Sequence, residues 1–258
     1  MSQLIKKLNS VRETKPQPMG FVPANVYSEK SRMQILACIK AELLEKAAEG
    51  LKIADGLMIE ASASAEIKAV EKLCQAEDGI PVGRWLKEIT DKPAKKTQDS
   101  ACDFIVFNSA GLVGLTRNDK IGRILELELD LDEGLIRASG EMPVDGILVS
   151  PPSLGGLTIK DLMLVQRMLN LVNKPVVVCV SPAITLDELQ SLWDIGICGL
   201  AVEVDEKSTS SLAEIRQKIN DLKPPAFRKK ARLTALISQS QAAQPEPEED
   251  DGEEEEDE

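Results

Sequence analysis

The chain has 258 residues, 43% of them hydrophobic, and one (β/α)8 barrel of roughly 200 to 250 residues fits that length without a second domain. Aromatic residues make up only 3%, which leaves few platforms for stacking single-stranded nucleic acid or sugars. The net charge of −12 is uneven: residues 246 to 258 hold eleven acids and no base, residues 223 to 245 hold five bases and no acid, and the remainder carries 26 bases against 32 acids. Such a mildly acidic body with an acidic tail repels a phosphate backbone, so nucleic acid is excluded as a partner.

Taken in chain order, the first elements are an amphipathic opening segment over residues 1–18, with Leu4, Ile5, Leu8 and Val11 on one face, and then a short strand at Met19 to Pro23. Apolar residues Ile35, Leu36, Ile39, Leu43, Leu44 and Ala47 predict a helix over Ser31 to Glu49, stopped by Gly50. Strand Gly56 to Glu60, helix Ser64 to Ala76 and a proline-weakened strand Ile80 to Trp85 follow, then a polar connection and strand Phe104 to Asn108. A fifth strand, Arg123 to Leu129, alternates strictly. The remainder reads as helix Asp132 to Ala138, strand Gly146 to Ser150, helix Thr158 to Asn173, strand Val176 to Ser181, a helix from the Thr185-Leu186-Asp187-Glu188 capping signal to Asp194, strand Gly199 to Val204 and helix Ser210 to Asp221. Pro224-Pro225 closes the domain, which is set at residues 19–225. Continuous apolar runs such as Val176 to Val180 suit a parallel sheet buried on both faces, and eight βα units suit a closed barrel better than a doubly wound sheet of six or seven strands.

The recurrent junctions Asp55-Gly56-Leu57-Met58-Ile59, Cys102-Asp103-Phe104-Ile105-Val106, Asp145-Gly146-Ile147-Leu148-Val149 and Gly196-Ile197-Cys198-Gly199-Leu200-Ala201-Val202 resemble those of the aldolase-type (β/α)8 TIM-barrel superfamily, which includes phosphosugar lyases, isomerases and flavin-binding barrels. The resemblance spans residues 19 to 222 and implies a site at the C-terminal ends of the strands.

Candidate site residues follow from that placement. Glu60 and Glu128 are the acid/base candidates, and Arg84 is the positive anchor for a small anionic metabolite, with Asn108, Ser150, Ser181 and Glu203 around it as binding residues. The turn holding Gly155 and Gly156, near Lys160, is the best candidate anion cradle. The turns after the last two strands, Ser181-Pro182-Ala183-Ile184 and Glu203-Val204-Asp205-Glu206, lack the donors of a phosphate or flavin site. The cofactor is left unknown. The run Leu125-Glu126-Leu127-Glu128-Leu129-Asp130 reads two ways. Leucines against a helical shell would line the barrel with carboxylates, whereas leucines inward would turn the acids to solvent; the short connections around this strand favour the second.

Histidine is absent, which removes the commonest general acid/base and metal ligand near neutral pH. Cys38, Cys74, Cys102, Cys179 and Cys198 stand singly, without Cys-x-x-Cys spacing. They are expected as small buried hydrophobes in a reducing compartment, which places the protein in the cytoplasm, and no metal site is expected. No strand holds a Schiff-base lysine, since Lys87 and Lys160 fall beyond strand ends. No signal peptide or membrane span is evident, so a membrane is not an expected partner. Residues 226–258, basic and then acidic, are expected to be a disordered tail available to a protein partner. Two functions stay open: an enzyme of lyase, isomerase or oxidoreductase type, and a noncatalytic barrel that binds a ligand or a protein.

Overall fold

The computed structural model describes residues 2–12, 32–43, 51–61, 70, 79–87, 102–111, 113–117, 119–151, 156–205 and 209–223. Eight parallel strands close into a barrel in sequence order: β1 (Gln34–Lys40), β2 (Gly56–Glu60), β3 (Val82–Leu86), β4 (Phe104–Asn108), β5 (Gly122–Glu128), β6 (Gly146–Ser150), β7 (Val176–Val180) and β8 (Gly199–Glu203). The described helices are α1 (Gln3–Arg12), α2 (Glu133–Glu141), α3 (Ile159–Leu171), α4 (Leu186–Ile195) and α5 (Thr209–Asn220). Helix α3 begins with a capping box between Thr158 and Asp161, and α4 with one between Thr185 and Glu188. Gly196, at φ 99°, ends α4 in the left-handed conformation that glycine adopts without a Cβ clash.

Side chains alternate across every strand, and the alternation divides the core in two. Ile35, Leu57, Ile105, Leu125, Val178 and Leu200 belong to the layer between sheet and helices. Leu36, Met58, Val106, Ile124, Leu148 and Val177 fill the barrel interior. Both layers are apolar, which is why most strands read as unbroken hydrophobic runs.

The first strand departs from expectation. Residues 34–40 form β1, hydrogen-bonded to β2 and β8, and not the helix read over Ser31 to Glu49. Ile35 to Ile39 is buried on both faces, and such a run cannot be told from a buried helix by periodicity alone. The strand expected at Met19 to Pro23 lies outside the described residues, as do most of the helix read over Ser64 to Ala76 and the whole segment 226–258.

Helix α1 closes the base of the barrel. Leu4, Ile5, Leu8 and Val11 are buried along its inner face and join the interior cluster. Strands start with glycine beneath it because a side chain would collide: a Cβ on Gly122 would meet Ser2 Cβ at 2.7 Å, and one on Gly199 would meet Leu8 Cδ2 at 3.0 Å. Asp103 caps the helix from the loop before β4, accepting from Ser2 Oγ at 2.6 Å, Gln3 N at 2.7 Å and Leu4 N at 3.0 Å. The acids at the two Asp-Gly junctions also serve the base. Asp55 accepts from Ile35 N and pairs with Arg216, and Asp145 accepts from Arg123 N and pairs with its guanidinium. The junction motif of the sequence is thus a set of carboxylates tying strand starts to their neighbours.

Candidate functional site at the barrel mouth

Strand register stacks the inward side chains in layers, with alternate strands supplying each layer. Met58, Val106, Leu148 and Ala201 form an apolar layer from the even strands. Above it come Cys38, Trp85, Glu126 and Cys179 from the odd strands, since Cys38 pairs with Met58 below and Glu203 above, and Trp85 with Val106 and Glu60. Glu126 likewise lies between Leu148 and Asn108. The next ring is formed by the last residues of the four even strands: Glu60, Asn108, Ser150 and Glu203. The sequence singles out those four separately, and the fold gathers them in one ring. Glu128 keeps the same inward parity one step higher on β5 and is exposed.

Polar contacts converge on Glu126. The Trp85 indole Nε1–H donates to its Oε2 at 2.8 Å, and the Ser150 hydroxyl donates to its Oε1 at 3.1 Å. Ser150 Oγ also lies 3.3 Å from Cys179 Sγ, so thiol, hydroxyl and carboxylate make a chain across β7, β6 and β5. Beside it, Lys87 Nζ sits 3.1 Å from Glu60 Oε2 and 4.1 Å from the Trp85 ring centre, paired with a carboxylate and a π face at once. Burial pushes the Cys179 thiol up to about 12, against the pull of the Ser150 hydrogen bond. Burial also raises Cys38 well above the usual thiol range, with Cys179 and Glu203 adding to the effect. Both thiols are therefore neutral at pH 7.

The orientation preferred for β5 is reversed, and Glu126, which faces the barrel only in the other of the two orientations, joins the site. Leu125, Leu127 and Leu129 pack in the outer layer with Leu115, Ile136 and Val165. Leu115 and Ile136 come from the two connections that flank β5, so those connections do cover its outer face, and Val165 of α3 adds to the cover. Trp85 and Lys87 carried no pattern of their own beyond closing a strand.

Arg84 is not an anchor in the mouth. It shares its parity with Val82 and Leu86, both in the layer between sheet and helices, and is 1% exposed. The Gly83 beneath Trp85 belongs to the interior instead, where a Cβ would lie 2.4 Å from the Phe104 ring. Lys87 is the cation that β3 delivers to the mouth. Asn108 is engaged locally, its Oδ1 accepting from Ala110 N, and Ser181 Oγ accepts from Ala183 N.

A cleft of about 370 Å3 opens beside this network, between the segments that follow β6 and β7. Pro151, Leu157, Val180 and Ile184 give it apolar walls, while Cys179 and Ser181 face it from β7 and its end. Gly156 lines it at φ 129°, and the backbone donor that follows it is taken by a side chain of this protein. Leu157 N donates to Glu188 Oε1 at 2.7 Å, and Thr185 N and Oγ1 donate to Glu188 Oε2 at 2.8 and 2.7 Å. Burial works against the ionised form of Glu188, yet these hydrogen bonds and the charge of Lys218 outweigh it and hold its pKa below the ordinary carboxylate value. The carboxylate thus occupies the Leu157 end of the expected cradle. Gly155 lies outside the described residues. Among the described residues no cluster of three or more Cys, Asp or Glu is arranged to hold a metal ion, and no helix is long and apolar enough to cross a membrane.

No family profile and no curated protein sequence matches the chain. Solved structures do match in fold. A mutant tryptophan synthase alpha-subunit from the hyperthermophile Pyrococcus furiosus superposes with a TM-score of 0.59 at 10% identity, covering 74% of this chain and 99% of that one. The tryptophan synthase complex of the same organism gives 0.58 at 10% identity, again over 74% of this chain and 99% of the other. Identity at this level carries the fold and leaves the chemistry to the site itself. The closed barrel, the layered interior and these superpositions together give the chain a (β/α)8 barrel fold.

Proposed function

We propose that the mouth is a proton-transfer site of lyase or isomerase type, with Glu126 as the base and Lys87 as the electrophilic partner. The observation that carries this reading is the half-buried Glu126 carboxylate, fixed by the Trp85 indole and the Ser150 hydroxyl at the end of the barrel where such folds do their chemistry. Glu126 would take a proton from a ligand atom next to a polarised oxygen. The Lys87 ammonium would face the charge developing on that oxygen, and Glu60 positions Lys87. Ser150 bonds to Glu126 and contacts Cys179, so it can reorient as the charge of Glu126 changes.

Charge argues for a ligand that is not an anion, in place of the small anionic metabolite expected from Arg84. Inward-facing positions of the upper layers carry Glu60, Glu126, Glu128 and Glu203 against Lys40 and Lys87, an excess of negative charge that disfavours a phosphate or carboxylate. Proton exchange tests this before any substrate is identified. Small uncharged ketones and hydroxyketones are incubated with protein in D2O, and deuterium entry at carbon is followed by NMR. Exchange promoted by the wild type is expected to vanish in Glu126→Gln and to survive in Glu128→Gln; equal exchange in wild type and E126Q would refute the reading.

A noncatalytic docking role has one observation in its favour. Ile159 and Met163, one turn apart on α3, are 79% and 68% exposed, an apolar pair that a protein surface would cover. Sedimentation velocity of the full chain and of an I159S/M163S double variant measures whether that surface sustains self-association.

A further inference from the structure

We propose that the cleft between the ends of β6 and β7 binds an uncharged molecule with an apolar body and a hydrogen-bond-accepting oxygen. The inference deepens the reading of the mouth as a proton-transfer site by naming the class of substrate it takes, and it rests on that reading only for the role of Glu126.

Three properties of the cleft define the class. Its walls are apolar, formed by Pro151, Leu157, Val180 and Ile184, and its volume of about 370 Å3 falls in the range of small-molecule sites. No lysine or arginine is among its described lining residues, and the ionisable side chain at its rim, Glu188, is kept ionised by three donors from Thr185 and Leu157. An anion therefore meets a fixed negative charge, and the donors of Leu157 and Thr185 are already engaged by it. A cation is drawn by the same charge, but it must shed its water against the apolar walls and finds both Glu188 oxygens already hydrogen-bonded, so the attraction does not make up for the lost hydration. Ser181 supplies the polar contact: its Oγ accepts from Ala183 N, which leaves the O–H free to donate to a ligand oxygen.

The position of the cleft gives this preference a consequence. Cys179 lines its inner end and contacts Ser150, which donates to Glu126. A molecule seated with its body against Leu157 and Ile184 has its inner end beside that chain. The neutral thiol of Cys179 and the apolar walls favour a ligand that loses little hydration on entry.

A matched set of probes tests the proposal: benzyl alcohol, benzoate and benzylammonium, which share one ring and differ in charge, titrated into the full chain with saturation-transfer NMR as the readout. Benzyl alcohol is expected to bind about tenfold or more tightly than benzoate, as a fixed like charge at close range requires. Ala183→Phe, at an exposed position on the cleft, should abolish binding, and Ala183→Met should weaken it in proportion to its smaller bulk while both variants keep the wild-type melting temperature. Binding of benzyl alcohol that persists in both variants would overturn the cleft as the site. Benzoate or benzylammonium binding as tightly as the alcohol would overturn the assignment to uncharged ligands. Glu126→Gln separates the two readings: it should leave benzyl alcohol binding intact even if proton transfer at the mouth fails its own test.

Discussion

Carboxylates at the base of this barrel and carboxylates at its mouth are bound in contrasting ways. Asp55, Asp103 and Asp145 bind backbone N–H groups of strands and of α1, and two of them also bind arginines. Glu60 and Glu126 bind side chains, namely lysine, indole and hydroxyl, each at the end of its own rotatable stem. Backbone partners fix an architecture, whereas side-chain partners can be exchanged for a ligand. The difference also predicts where the molecule is intolerant of change.

Removing the plug should have the largest effect. Leu8 is fully buried beneath the strands, and Leu8→Ala is expected to cost about 2 to 5 kcal/mol, read as a lower urea midpoint. A loss well below 1 kcal/mol would mean that α1 is an accessory to the barrel. Asp103→Ala, which strips the cap from the same helix, should cost about 1 to 2 kcal/mol, and the base loses its special status if Glu126→Gln proves as damaging. That substitution at the mouth is expected to cost no more than about 1 kcal/mol, while shifting the emission of Trp85, whose N–H loses its anionic acceptor.

Two pH experiments sharpen the contrast further. Cys38 and Cys179 have folded pKa values above the unfolded one, so their contribution is complete below about pH 8.5 and is lost as pH rises toward the folded values. Each thiol should remove about 1.4 kcal/mol per pH unit in that window, and Cys179→Ala should flatten the alkaline slope of the urea midpoint. A smaller change is expected at acid pH. The folded pKa of Glu188 is depressed, so its contribution is present above the unfolded value of about 4.3 and is lost as pH falls through the folded one. Glu188→Gln should reduce the acid-side slope, and identical acid titrations of variant and wild type would remove Glu188 as the tie between Leu157 and Thr185.

The even strands were legible in the sequence because each is short, apolar and terminated by a polar residue: Glu60, Asn108, Ser150 and Glu203 announce where sheet ends and mouth begins. β1 was not, because Ile35 to Ile39 is followed at helical spacing by further apolar positions at Leu43 and Leu44, and the longer pattern has a helical period. Arg84 was misplaced for a related reason. Pro81 and Gly83 interrupt the alternation of β3, so its parity could be read only once Val82 and Leu86 were seen in the outer layer. Glu126 was hidden by symmetry, since an alternating strand is equally regular with either face inward, and what decides between them is the outer layer in which its leucines join Leu115, Ile136 and Val165, visible only in the fold.

With α1 seated against the strand starts and apolar side chains filling the barrel above it, no passage runs through the interior among the described residues. If the mouth turns over a ligand as proposed, arrival and departure share one end of the barrel, and a molecule still seated there excludes the next.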